Sequence, residues 1–75
     1  MYYFDIIDIL KSTEDKLSSY EIYIKLIKKN GVAKLHRIRQ VLFKMYLNDD
    51  KIHREERIIT RKPYTREYVF YYNLR

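Results

Sequence analysis

A chain of 75 residues, 47% hydrophobic and with nine tyrosines, is too rich in large apolar side chains to stay disordered and too short for more than one domain, so residues 1–75 form a single unit. A domain of this size buries only about 60% of the surface its unfolded chain exposes, so the core is thin and self-association is the expected source of extra stability. No cysteine and only two histidines exclude a disulfide framework and a structural zinc site, and the net charge of +6 points to a negatively charged partner.

The first predicted element is a helix from Tyr2 to Lys11. Tyr3, Ile6, Ile7 and Leu10 recur at helical spacing, and Asp5 and Asp8 stand early enough to favour a helix N-terminus. Tyr2, Ile6 and Ile9 widen the apolar surface beyond one packing face, so the helix is either inserted between elements or offers a second stripe to another subunit. The first ten residues carry two carboxylates and no cation, the opposite of a targeting signal, and no apolar run approaches the roughly 18 residues of a membrane span. A cytoplasmic location is expected.

A polar connector, Ser12 to Lys16, leads to Leu17 and then to Ser18-Ser19-Tyr20-Glu21. Ser18 with Glu21 three residues on is a capping box, which opens a second helix. That helix runs to about Lys29, with Tyr20, Tyr23, Ile24 and Ile27 as its expected inner stripe and Lys25, Lys28 and Lys29 outside. Asn30-Gly31 ends it, and the only glycine of the chain stands where a left-handed residue is usual.

The turn from Gly31 to Ala33 is short, and a third helix, Lys34 to Asn48, follows it. Two helices joined through a short glycine-containing turn make a helix-turn-helix pattern. Leu35, Ile38, Leu42, Met45 and Tyr46 fall within about one third of the helical wheel, and His36, Arg37, Gln40 and Lys44 fall opposite. Residues 28–48 hold six Lys or Arg and no acid, against three Lys and five acids in residues 1–27 and seven Lys or Arg and five acids in residues 49–75. The positive field is therefore concentrated on the third helix and its approach. A basic face bearing bidentate donors suits a groove of double-stranded DNA; the alternative is an ordinary solvated helix surface.

Beyond Asn48-Asp49-Asp50 the residues become β-branched and aromatic. Lys51–Thr60 and Glu67–Leu74 read as a β-hairpin, with Tyr68, Phe70, Tyr72 and Leu74 toward the helices and Val69 and Tyr71 outside. Arg61, Lys62 and Arg66 put three cations around Pro63 at its tip. Glu55 and Glu56, between Arg54 and Arg57, predict cross-strand ion pairs.

Catalysis is not indicated. His36 and His53 lie on different elements with no carboxylate or thiol cluster, so no metal or other cofactor is expected, and capping accounts for Ser18 without a nucleophilic role. No small-molecule ligand is suggested either.

Helix, capped helix, short turn, basic helix and a hairpin with a cationic tip is an order that resembles the winged-helix superfamily, in particular small regulators of the PadR and MarR type. The similarity is carried by Leu17-Ser18-Ser19-Tyr20-Glu21-Ile22, by Ile38, Leu42 and Tyr46-Leu47, by Asp50-Lys51-Ile52 and by Tyr71-Tyr72-Asn73-Leu74. Asp49-Asp50 stand where such proteins usually have a glycine. The resemblance implies an α+β winged helix-turn-helix of three helices followed by a two-stranded antiparallel wing. It also implies that the third helix enters the major groove, with Lys34, His36, Arg37, Gln40 and Lys44 at base edges or phosphates and Arg61, Lys62 and Arg66 acting from the wing.

Lys28 and Lys29 are further candidate phosphate contacts, and Arg39, at the edge of the apolar stripe, is a phosphate clamp or an internal ion-pair partner. The expected function is that of a non-enzymatic transcriptional regulator, a repressor rather than an activator. It would act as a homodimer joined through Tyr2, Ile6 and Ile9 or through Val69 and Tyr71. Two alternatives remain open at this point: a protein-contact adaptor, and a binder of RNA or single strands through the hairpin tyrosines.

Overall fold

The computed structural model describes residues 2–60 and 66–74, without the side chains of residues 60, 66 and 67. Arg61 and Lys62 lie outside the described residues, as does the side chain of Arg66. Among the described residues the chain forms, in order, α1 (Tyr3–Lys11), β1 (Leu17–Ser18), α2 (Ser19–Asn30), α3 (Leu35–Asn48), β2 (Ile52–Thr60) and β3 (Arg66–Leu74). The class is α+β, three helices packed on one antiparallel sheet.

The sheet departs from expectation. It has three strands in the order β1-β3-β2, not two, because Leu17 and Ser18 pair with Tyr72 and Tyr71. The hairpin itself keeps a continuous register from Ile52 opposite Leu74 to Thr60 opposite Arg66. A two-residue strand has no side-chain periodicity to read, and what holds it is the backbone of β3, whose second edge would otherwise stay unpaired. The longer edge strand is β2, where the run Arg54-Glu55-Glu56-Arg57 discourages further strand addition.

Both ends of α2 follow from the residues that signalled them. Ser18 Oγ accepts from the Glu21 N–H at 3.2 Å, and Glu21 Oε1 accepts from the Ser18 N–H at 3.0 Å, so two otherwise orphaned donors are satisfied reciprocally. At the other end Gly31 takes φ +82°, and its N–H donates to the Ile27 carbonyl at 2.7 Å. A β-carbon at this position would meet nothing within 4 Å, so what the position demands is the left-handed backbone and not room.

Ile6, Ile22, Leu26, Ile38 and Leu42 are fully buried, and Ile9, Leu10, Leu17, Met45, Ile52 and Tyr72 complete the core. Two expected faces change here. The inner side of α2 is Ile22 and Leu26; Tyr20 is 56% exposed, and Tyr23, Ile24 and Ile27 are half-buried. This helix is apolar around most of its circumference, so periodicity admits two stripes. Packing separates them: Ile22 and Leu26 are fully buried, and at the edge of that face the Lys29 ammonium reaches Asp5 at 3.5 Å and Asp8 at 3.3 Å on α1.

On α1, Ile6 and Ile9 are core residues and are not available to a partner chain. The helix lies against both α2 and β3, which uses its wide apolar surface internally. The aromatic surface it leaves outside is Tyr3 and Phe4, an edge-to-face pair with centroids 5.3 Å apart. Tyr2 packs partly against the core, and Val69 and Tyr71 are half-buried on the outer face of the sheet.

The corrected α2 face is testable by urea denaturation. Leu26→Ala is expected to lower unfolding free energy by about 2–5 kcal/mol, as for a fully buried leucine. Tyr20→Ala, on the face expected from periodicity, is expected to cost about 1 kcal/mol or less, the worth of its ring contact with Tyr23.

Candidate nucleic-acid interface

With Ile38, Leu42 and Met45 buried, the opposite side of α3 is set by helix geometry alone. His36, Arg37, Gln40 and Lys44 are all exposed there, and Lys34 stands just before the first turn in extended conformation, also exposed. These five residues therefore share one surface. No acidic residue occurs within α3, and among the described residues none of its cations is engaged in an ion pair.

The other expected contacts divide. Arg39 leans toward α2, where its Nε donates to Ser19 Oγ at 3.3 Å, yet it remains exposed. Lys28 is exposed on the last turn of α2. Lys29, also exposed, pairs with Asp5 and Asp8. Asn30 joins the same cluster, its Nδ2 donating to Asp5 at 3.1 Å.

Three residues that sequence reasoning passed over belong to this surface. Phe43 and Leu47 are 48% and 61% exposed on the outward side of α3, one turn apart and next to Gln40 and Lys44. Their positions on the helical wheel, outside the buried stripe, already carried that signal. The third is Arg54. In a strand that starts with buried Ile52, alternation turns Arg54 toward the helices, and its guanidinium lies 4.1 Å from the Tyr46 ring and 4.2 Å from the Phe70 ring, with Phe43 at 5.8 Å. An inward arginine on a strand opposite aromatic positions is the sequence signature of such a stack.

Arg54 forms the floor of a groove of about 580 Å³ between α3 and the hairpin, with Arg39 and Phe43 on one wall and Tyr68 and Phe70 on the other. None of the lining residues is acidic. Beneath it, burial pushes the Tyr72 phenol above its usual pKa, an effect partly offset by the nearby Arg54 charge. The groove therefore combines positive charge with flat apolar faces.

The outer face of the sheet is different. Glu55 accepts from Arg57 Nε at 2.7 Å and lies 3.4 Å from Lys16, and the Arg57 bond holds its carboxyl below the ordinary value. The expected cross-strand pairing is thus replaced by one along β2 and one to the connector before β1. Side chains two apart on a strand share a face, and here Arg57 also covers the Tyr71 ring at 4.1 Å. This face is charge-compensated.

Asp49, just before the turn into β2, is extended with φ −129° and ψ 112°. Its side chain closes the turn by accepting the Lys51 N–H at 2.9 Å, so no left-handed residue is needed at that position. His36 is on α3 and His53 on β2, and among the described residues no group of three potential metal ligands comes together. No helix of the described residues is long and apolar enough to cross a membrane.

The Arg54 stack can be tested by equilibrium unfolding. Arg54→Ala is expected to destabilise by about 1–2 kcal/mol, and Arg54→Lys to recover less than half of that, because an ammonium cannot stack on two rings as a planar guanidinium does. Full recovery by lysine would reduce the stack to a charge effect. No protein-family model, curated protein or solved structure matches the chain.

Proposed function

We propose that the chain is a winged-helix protein that binds double-stranded DNA in a sequence-specific way, with α3 in the major groove and the hairpin against the neighbouring backbone. The observation that carries this reading is the acid-free outward face of α3, where His36, Arg37, Gln40 and Lys44 stand exposed on a helix whose other side is sealed in the core. The order of elements, with a short strand before the second helix and a terminal hairpin, supports the winged-helix assignment.

The chemistry follows from the residue types. Arg37 and Gln40 carry planar, two-pronged hydrogen-bonding groups that match guanine and adenine edges in the major groove, and each such match is worth about 1–3 kcal/mol of discrimination. Lys28, Lys34, Lys44 and Arg39 surround them with donors that neutralise phosphates and release counterions regardless of sequence. Ser19, at the groove end and hydrogen-bonded to Arg39, fixes that side chain at the start of α2. The protein in this reading is a transcriptional regulator and a two-fold homodimer that reads half-sites about 34–36 Å apart. Phe4, 78% exposed, with Tyr3, takes the place of Ile6 and Ile9 as the apolar surface of α1 open to a second copy.

A second reading, contact with another protein, is favoured by one observation: Phe43 and Leu47 are apolar, adjacent and exposed on the same helix.

Site selection from random duplex DNA followed by salt-dependent binding separates the two. The proposal expects a preferred sequence and a steep fall of affinity with salt. Arg37→Ala or Gln40→Ala should flatten preference at one position, whereas Lys34→Ala should weaken all sequences alike and reduce the salt slope by about one. Absence of salt-dependent duplex affinity would overturn it and leave the protein-contact reading.

A further inference from the structure

We infer that Phe43 is a specificity-determining residue that reads the 5-methyl group of thymine, a step that rests on the placement of α3 in the major groove. Phe43 lies on the outward side of α3 three residues beyond Gln40 and one before Lys44, with nearly half of its surface in solvent. A helix seated in the major groove presents this ring to base edges. The apolar group those edges offer is the thymine methyl; the others are hydrogen-bond donors and acceptors, whose water a phenyl ring would strip without replacing.

Two further observations single out Phe43 over Leu47. The Arg54 guanidinium, itself held between Tyr46 and Phe70, lies 5.8 Å from the Phe43 ring and supports it from the groove side, so the ring is oriented before any ligand arrives. Leu47, one turn on, borders Asp49 and Asp50, whose carboxylates repel a phosphate backbone and turn that end of the helix away from it. The charge around Phe43 has the opposite sign: Arg39 and Arg54 line the same groove, Lys44 follows it in the chain, and α3 has no acid. A polyanion that carries apolar groups matches both features, and T-containing duplex DNA is such a ligand. With Gln40 on the preceding turn suited to adenine, the selected half-site is expected to hold an adenine and a thymine in neighbouring base pairs.

The test uses the whole chain and a duplex selected by it from a random-sequence pool, resynthesised with each thymine replaced in turn by 2′-deoxyuridine, which removes the methyl and leaves base pairing intact. Wild-type protein is expected to bind about fourfold more weakly at one or two positions, the equivalent of about 0.8 kcal/mol for one buried methyl. Phe43→Ala is expected to bind thymine and uracil versions of those positions equally. The proposal is overturned if wild-type affinity is indifferent to every replacement while salt-dependent selection of a site persists, an outcome that leaves the DNA-binding reading standing. It is overturned as well if Phe43→Ala keeps the thymine preference and instead changes the oligomeric state in sedimentation, which would assign the ring to contact between copies. Failure to select any duplex removes the underlying reading together with this one.

Discussion

Burial of Ile38, Leu42 and Met45 on one side of α3 is the constraint from which the rest of the surface follows. Against them stand Ile22 and Leu26 of α2 and Ile6 of α1, all without solvent contact. Rotating α3 by one position, about 100°, would draw a charged or amide side chain into that core at a cost of several kcal/mol, so the helix is held in register by what it excludes as well as by what it buries. His36, Arg37, Gln40 and Lys44 face outward because no other orientation of this helix is accessible.

Five of the ten acidic residues complement this arrangement by being engaged elsewhere. Asp5 and Asp8 hold Lys29 and Asn30 where α1 meets α2, Glu21 caps α2, Glu55 neutralises Arg57 and Lys16, and Asp49 closes the turn into β2 while receiving the Tyr3 hydroxyl at 3.3 Å. Each is placed at a junction between elements. The positive charge of residues 28–48, less Lys29, is left without local compensation, and within a Debye length of about 8 Å it is this local balance that an approaching polyanion meets. The net charge of +6 describes that field poorly, since the outer face of the sheet is compensated and the outward face of α3 is not.

How much of this was legible in the sequence depends on whether a feature is local. The cap at Ser18 and the stop at Gly31 rest on contacts within a few residues and appear where spacing put them; of the stripe expected on α3, Ile38, Leu42 and Met45 are buried against other elements and Leu35 and Tyr46 are half-buried. The strand at Leu17–Ser18 exists because β3 has an edge to fill, and its partner lies more than fifty residues away. The face that α2 turns inward was undecidable from apolar periodicity, because Tyr20, Ile24 and Ile27 compete with Ile22 and Leu26; packing against the other helices and the sheet decides it. The exposed face of α3 was half legible. Its polar members stand out by type, whereas Phe43 and Leu47 lie outside the buried stripe by spacing, and their exposure is the part that residue type alone does not signal.

Arg54 joins these two kinds of information. Strand alternation puts it where an aliphatic side chain would ordinarily pack, and an apolar residue there would join α3 to the hairpin equally well. The guanidinium does more: 4.1 Å from the Tyr46 ring and 4.2 Å from the Phe70 ring, it brings a positive charge to the lining of the groove. One side chain thus contacts the helix and both strands, and joins α3 to the base of the hairpin. A ligand that touches both therefore meets a surface already assembled, and little of its binding energy is lost in ordering the two elements against each other.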